Sequence, residues 1–389
     1  MEITDGSTTD DEGGLSGLPA RILMDEGDPV HGPTLVIFAA IHGNEQSGLK
    51  TVARLRTRLE TGGIRLFGRV LAVSGNRRAI ARNQRFIDRD LNRRWGAHDP
   101  GSSSTDAQTS EDLEQRELMA VVDGAVQDAD AVGNPQVVLL DLHSTSGKTP
   151  AFCCLADAPG NHRLGFSLGL PVIFGLEETA DGTLLGYYND RGLPGVAVEG
   201  GQHEDPRTVE RQLAAAWIMM ATLGIVPQTT PSVRGAREAL QAASKGRPAA
   251  VEIVHRHPVE ASDEFVMVPG FASFQPVSQG TVLAHDRNGP VHCPLDGRVL
   301  LPLYQGSGED GFFLATDLSA GQMSLLKILR QIGAERALGW LPGVREVDGQ
   351  DAFEVQHTPL RHVHRRVLGL FGYRRRRDGN ILARRRQLS

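Results

Sequence analysis

The chain has 389 residues, 40% hydrophobic and 23% charged, the balance of a folded globular protein long enough for two or three domains. A net charge of -6 argues against a general nucleic-acid binder, and Cys153, Cys154 and Cys293 cannot build a disulfide framework. The acidic, polar start from Met1 to Gly17 lacks a signal peptide's basic and apolar regions, and no apolar run reaches the roughly 18 residues of a membrane span. A cytoplasmic location is expected.

In chain order, residues 1–17 read as a disordered acidic tail. Thr34 to Ala40 is a continuous apolar run, which predicts a fully buried strand. It ends at His42-Gly43-Asn44-Glu45, and Leu49, Val52 and Leu55 then follow at helical spacing. Arg69 to Ser74 predicts a second strand. Residues 99–112, rich in Ser, Thr, Asp and Gly, predict a mobile loop. Val137 to Leu142 predicts a third strand, with His143 at its end, and Gly195 to Glu199 a fourth, with Glu199 at its end. Arg207 to Leu223 carries Val209, Leu213, Trp217 and Met220 at helical spacing.

The character changes after Thr229-Thr230-Pro231-Ser232. The runs Phe265–Val268, Gly280–Ala284, Gly297–Leu301 and Gly311–Leu314, separated by Gly/Pro turns, predict a small all-β unit. A helix from Gln322 to Leu338 is expected next. The stretch from Arg361 to Ser389 holds ten Arg against one Asp. The pattern divides the chain into a tail (1–17), a catalytic domain (18–228), a β-rich domain (247–320) and a C-terminal helix with a basic tail (321–389). The arginine-rich end reads as a solvated segment rather than a specific nucleic-acid site.

Three ligand-type residues stand at ends of apolar strands, where open α/β sheets place their sites. His42, Glu45 and His143 are the donor set of a catalytic zinc site: two imidazoles, one carboxylate and an open fourth position. One zinc ion per chain is expected, although iron, cobalt or manganese also suit such a set. Zinc brings the pKa of a bound water to about 7, which suits cleavage of amides and esters. Asp141, two residues before His143, shares its face of the strand and can orient the imidazole. Glu199, followed by Gly200-Gly201, is placed to take a proton from water and pass it to a leaving nitrogen. The stretch from Arg85 to Arg93, with Asp90, Asn92 and Arg93, reads as an anion pocket in which one Arg polarises the scissile carbonyl.

In order along the chain, His42-Gly43-Asn44-Glu45, the Arg85–Arg93 stretch, Asp141-Leu142-His143 and Val198-Glu199-Gly200-Gly201 resemble the motifs of the succinylglutamate desuccinylase/aspartoacylase family. These zinc hydrolases are related to metallocarboxypeptidases, and the resemblance covers roughly residues 30–320. It implies a mixed-sheet, zinc-carboxypeptidase-like α/β domain with a smaller β-rich, barrel-sandwich-like second domain shielding the mouth of the site. It implies zinc on His42, Glu45 and His143, Glu199 as proton shuttle, Arg85 as carbonyl-polarising group, and Asn92 and Arg93 as holders of the substrate's α-carboxylate. Asp90 and Asp141 then support the ligands from behind. The expected activity is removal of an acyl group from an N-acyl amino acid, with a possible homo-oligomer as the assembly.

Two positions depart from the family pattern. Phe312-Phe313 stands where aspartoacylases carry a substrate-binding Tyr, and only Arg191 is available for a second Arg before Glu199. A dicarboxylic substrate such as N-acetylaspartate is therefore not expected. The turn at Asp296-Gly297 has no lysine for biotin or lipoate. A carboxypeptidase-like peptidase is the alternative enzyme. A metal-binding scaffold is the non-enzymatic one, but a closed structural site would have no use for Glu199.

Overall fold

The computed structural model describes residues 18–96, 109–156, 159–176, 182–304, 308–319, 321, 338–347, 352–355, 368, 374–375 and 381–383. The acidic tail of residues 1–17, most of the expected loop at 99–112, the expected helix at 322–337 and most of the basic tail lie outside them.

The apolar runs become the centre of the sheet. Strand β1 (Ile22–Gly27) is followed by β2 (Thr34–Ala39), helix α1 (Ser47–Gly62), β3 (Arg69–Ser74), the short α2 (Arg77–Arg82) and the long α3 (Ser110–Ala131). Next come β4 (Val137–Thr145), β5 (Phe152–Cys154), α4 (Pro159–Ser167), β6 (Val172–Phe174), α5 (Leu184–Asn189), β7 (Gly195–Gln202), α6 (Pro206–Leu223) and α7 (Pro231–Ser244). The parallel core is β3-β2-β4-β7, with β2 flanked by β3 and β4. Every residue of β2 is buried, which is why its sequence is apolar without alternation. Strands β4 and β7 run three residues beyond the apolar stretches, so His143 and Glu199 lie within the last turns of pairing rather than after them. They are directly opposite one another in the register.

Helix caps match the sequence. Thr109 accepts from Asp112 N and Asp112 accepts from Thr109 N, a capping box that starts α3. Asp205 caps α6 ahead of Pro206, and Gly224, at φ +82°, ends it in the left-handed region.

The β-rich region comprises β8 (Ala250–Pro258), β9 (Val266–Met267), β10 (Pro276–Val277), β11 (Val282–Asp286), β12 (Gly289–His292), β13 (Gly297–Leu300) and β14 (Asp310–Asp317). Its first strand pairs in parallel with β6 through Ala250, Val251 and Glu252 and in antiparallel with β14. The large sheet therefore continues, in the order β1-β3-β2-β4-β7-β5-β6-β8-β14-β13-β10, from one region into the other. One apolar core does the same, joining Phe38, Leu71 and Ile173 to Val251, Leu300, Phe313 and Ala315. Strands β9, β11 and β12 form a separate small sheet. Beyond them, short strands at Val344–Glu346, Ala352–Val355, Arg374–Arg375 and Ile381–Ala383 pair into a sheet of their own. Among the described residues no helix is long and apolar enough to cross a membrane.

Candidate functional site

The site forms where β2, β4 and β7 end. The chain leaves β2 through Ala40, which takes a left-handed φ of 60° although it is not glycine. Gly75 crosses so close there that a Cβ would sit 2.5 Å from Ala40 O and Ile41 Cα. Hydrogen bonds from Gly75 N to Ala39 O (2.7 Å) and Asn76 N to Ala40 O (3.0 Å) brace the turn. His42 and Glu45 follow at once, locked by Glu45 N to His42 O (3.0 Å).

His42, Glu45 and His143 are all buried, and one donor atom from each falls within 4.8 Å of the others. His42 Nδ1 lies 2.7 Å from Glu45 Oε1, and His143 Nδ1 lies 3.1 Å from Glu45 Oε2. The opposite ring nitrogens are each backed by a carboxylate: His42 Nε2 by Asp90 at 3.2 Å, His143 Nε2 by Asp141 at 2.8 Å. That is the arrangement which fixes tautomer and ring orientation at metal centres. Ser144 N donates to Glu45 Oε2 (2.8 Å), and Gln212 Nε2 on α6 donates to His143 O (2.8 Å). The donor set therefore fits a single divalent ion in its residue types, its burial and its supporting carboxylates.

The electrostatics separate the carboxylates by task. Burial pushes Glu45 up, but His42 and His143 overcome it and hold the carboxyl well below its ordinary value. Burial likewise opposes ionisation of Asp90, yet His42 and Arg85 keep it well below the usual range. Burial would lower His143, but the Asp141 and Glu45 carboxylates raise it well above an ordinary imidazole. Glu199 goes the other way: burial dominates, only partly opposed by His143, and carries it to about 7. Its Oε2 is buried with no partner among the described residues, and the residue lines the cleft.

Arg85 is held by Asp90 through Nε (3.1 Å) and Nη2 (2.8 Å), with Nη1 3.9 Å from Glu45 Oε1. Asn92 uses Oδ1 to accept from Leu184 N at the start of α5 (2.8 Å), leaving its amide NH2 for the cleft. Arg93 Nη2 is 3.3 Å from Asp310 Oδ2, and its buried Nε has no partner among the described residues. Of the nine residues singled out in the sequence, His42, Glu45, Arg85, Asp90, Asn92, Arg93, His143 and Glu199 line one cleft, and Asp141 stands behind His143.

One reading needs correction. Arg191 does not reach the cleft: its guanidinium stacks 3.4 Å from the Tyr187 ring centroid and donates to Tyr187 O. Gly200, after Glu199, lets a neighbouring helix approach closely, since a Cβ there would meet Thr208 O on α6 at 2.8 Å. Phe313 does line the cleft, whereas Phe312 is buried in the core of the β-rich region.

The sequence reading missed Asp310, which binds both Arg93 and Arg256, and His203, whose Nδ1 is 2.8 Å from Ser144 Oγ. It also missed Glu111, a wholly buried carboxylate on α3 that accepts from Ile87 N, Asp88 N, Arg89 N and Asn76 Nδ2. The β-rich region supplies Ser273, Leu301, Pro302, Leu303 and Phe313 to the cleft wall.

The fold and the site together define a mixed-sheet, carboxypeptidase-like α/β domain with a candidate metal centre at its strand ends. Residues 31–220 match the succinylglutamate desuccinylase/aspartoacylase catalytic domain. The chain is 39% identical over 75 residues to a succinylglutamate desuccinylase of Pseudomonas paraeruginosa, a stretch that is 19% of this chain and 23% of that protein. The alignment thus spans less than a quarter of that curated relative. Two solved structures share the fold. A succinylglutamate desuccinylase from Vibrio cholerae has a TM-score of 0.53 at 15% identity, covering 75% of this chain and 82% of that one. A succinylglutamate desuccinylase/aspartoacylase from Rhodobacter sphaeroides has a TM-score of 0.53 at 17% identity, covering 74% and 86%.

Proposed function

We propose that this protein is a zinc-dependent amidohydrolase that removes the acyl group from an N-acyl amino acid. The observation that carries the reading is the buried His42–Glu45–His143 group with a second carboxyl opposite His143 on the neighbouring strand, Glu199, whose Oε2 has no partner among the described residues. A structural metal site has no need of that second carboxyl. His42, Glu45 and His143 would hold the zinc. When bound, zinc supplies Lewis acidity, which polarises a carbonyl and acidifies water.

The rest of the chemistry belongs to this chain. Glu199, with a pKa of about 7, accepts the proton of the attacking water and returns it to the leaving nitrogen. Arg85 is fixed by Asp90 and offers its Nη1 edge to the carbonyl oxygen as negative charge develops there. The Asn92 amide and the Nε edge of Arg93 receive the α-carboxylate of the amino acid. Leu301, Pro302, Leu303 and Phe313 close an apolar wall over the cleft and limit water.

The test is metal analysis of the purified protein together with a screen of N-acyl amino acids, reading release of the free amine. One zinc per chain and turnover of at least one N-acyl amino acid are expected. Turnover confined to blocked dipeptides would move the reading to a carboxypeptidase-like peptidase. Stoichiometric metal with no turnover of either class would leave only a metal-binding protein.

A further inference from the structure

His203 stands one residue past the end of β7 and is absent from the roles above. Its backbone N donates to Thr145 O at 2.9 Å, which pins the residue against the end of β4. Its Nδ1 lies 2.8 Å from Ser144 Oγ. The other ring nitrogen, Nε2, is buried, has no partner among the described residues, and belongs to a residue that lines the cleft. A buried ring nitrogen without a partner is costly, so an imidazole fixed on one side and unpartnered on the other among the described residues is a group prepared for a ligand.

We propose that His203 Nε2–H donates a hydrogen bond to the acyl carbonyl oxygen of the substrate, alongside Arg85, and is a further catalytic residue. The inference rests on the amidohydrolase reading given above. The donor role follows from the Ser144 contact. When the Ser144 hydroxyl donates to Nδ1, the proton of the neutral imidazole resides on Nε2, and a carbonyl oxygen offers only lone pairs. Burial lowers the pKa of His203 and keeps the ring neutral. Glu45 opposes that shift, while Arg85 and His42 add to it. The ring's partner Ser144 directly follows His143 in the chain, which places the imidazole beside the reaction centre within the same cleft. With Asn92 and Arg93 assigned to the α-carboxylate, from contacts that run to α5 and β14, the acyl half of the substrate is left for His203. No bond is made or broken by His203; the hydrogen bond strengthens as the carbonyl oxygen gains charge and relaxes when the carbonyl re-forms.

The test uses the zinc-loaded full chain with matched N-acetyl and N-succinyl derivatives of the amino acid that the wild type hydrolyses best. His203→Ala is expected to lower kcat/KM about 10²-fold on both acyl groups, the scale of one lost oxyanion donor. Zinc content and thermal midpoint should not change. His203→Gln, which returns an amide N–H near the Nε2 position, should recover about tenfold. Ser144→Ala should cost less than His203→Ala and add little to it in the double variant. A phosphonamidate analogue of the substrate should lose affinity in step with kcat/KM, whereas the free amino acid should bind as before. Losses of less than about threefold, or losses confined to the succinyl substrate, would overturn the assignment. So would unchanged analogue affinity, or loss of zinc in His203→Ala. If the wild type hydrolyses no N-acyl amino acid, the amidohydrolase reading fails and takes this one with it. An active wild type with an indifferent His203→Ala sinks this one alone.

Discussion

Buried Glu45 and half-buried Glu199 line the same cleft, yet their surroundings drive them apart. Two imidazoles hold Glu45 ionised, while burial carries Glu199 to about 7. A ligand must stay a carboxylate, and a proton shuttle must change state near neutral pH, so the split agrees with the tasks proposed for the two residues. Glu199→Gln keeps the volume and loses the proton-accepting oxygen. It is expected to retain metal, measured by elemental analysis, while kcat falls about 10²-fold or more. Near-normal turnover in a metal-loaded variant would remove Glu199 from the chemistry. Arg93 makes a second residue-level case. Asp310 engages Nη2 and Asn92 O engages Nη1, so Nε, which has no partner among the described residues, is the N–H left for a substrate carboxylate. Arg93→Lys retains charge but not the planar fork. It should raise KM for N-acyl amino acids and leave their C-terminal amides nearly unchanged, and an equal effect on both would exclude a carboxylate-reading role. The residues proposed to hold the metal were legible in the sequence because they follow apolar runs that read as buried strands. Asp310 and His203 had no such flag, since their meaning comes from Arg93 and Ser144, far away along the chain.

The loop that carries Arg85, Asp90, Asn92 and Arg93 is an element positioned from below by α3. Glu111 and Glu114, in the first two turns of that helix, are fully buried. Glu114 pairs with Arg21 and Arg78, and Glu111 takes three successive backbone N–H groups of the loop, from Ile87, Asp88 and Arg89. A carboxylate near a helix N-terminus is also favoured by the helix dipole. Glu111→Gln replaces one acceptor oxygen with an NH2 that faces N–H donors. It should destabilise the fold by about 1–3 kcal/mol, the cost of leaving buried donors unpaired. Denaturant titration would measure this, and KM should rise before kcat falls because the substrate-binding loop loosens first. A variant with wild-type stability and KM would show that the loop holds itself. At this scale the sequence revealed β2, β3, β4, β7 and α6, whose apolar patterns are long. It did not reveal β5 or β6, which are three residues each and carry no period to detect.

Across the molecule, the change of sequence character after residue 229 suggested a boundary, and the strand pairing shows what that pattern could not. Strand β8 lies between β6 and β14, so the sheet that bears the ligands continues into the region that walls the cleft. Composition registers the shift from long strands with helices to short strands with turns. It cannot register that Ala250 to Glu252 adds on to a three-residue strand some 80 positions earlier. The consequence is mechanical as well as chemical. Val172 and Ile173 on β6 and Val251 on β8 are fully buried, and the core around Ile173 also contains Phe313 and Ala315 of β14. A chain ending after Ser244 would leave β6 as an open edge with its apolar face bare, the arrangement that invites strand-to-strand association. That truncation retains every residue proposed to touch metal or substrate except the apolar wall, and loses Asp310, which holds Arg93. It is nevertheless expected to be aggregated or unfolded, with no stoichiometric zinc, when compared with the full chain by size-exclusion chromatography, circular dichroism and metal analysis. A soluble, folded, zinc-binding monomer from residues 18–244 would refute that dependence. The β-rich region would then be a cover over an independent catalytic unit rather than part of its sheet.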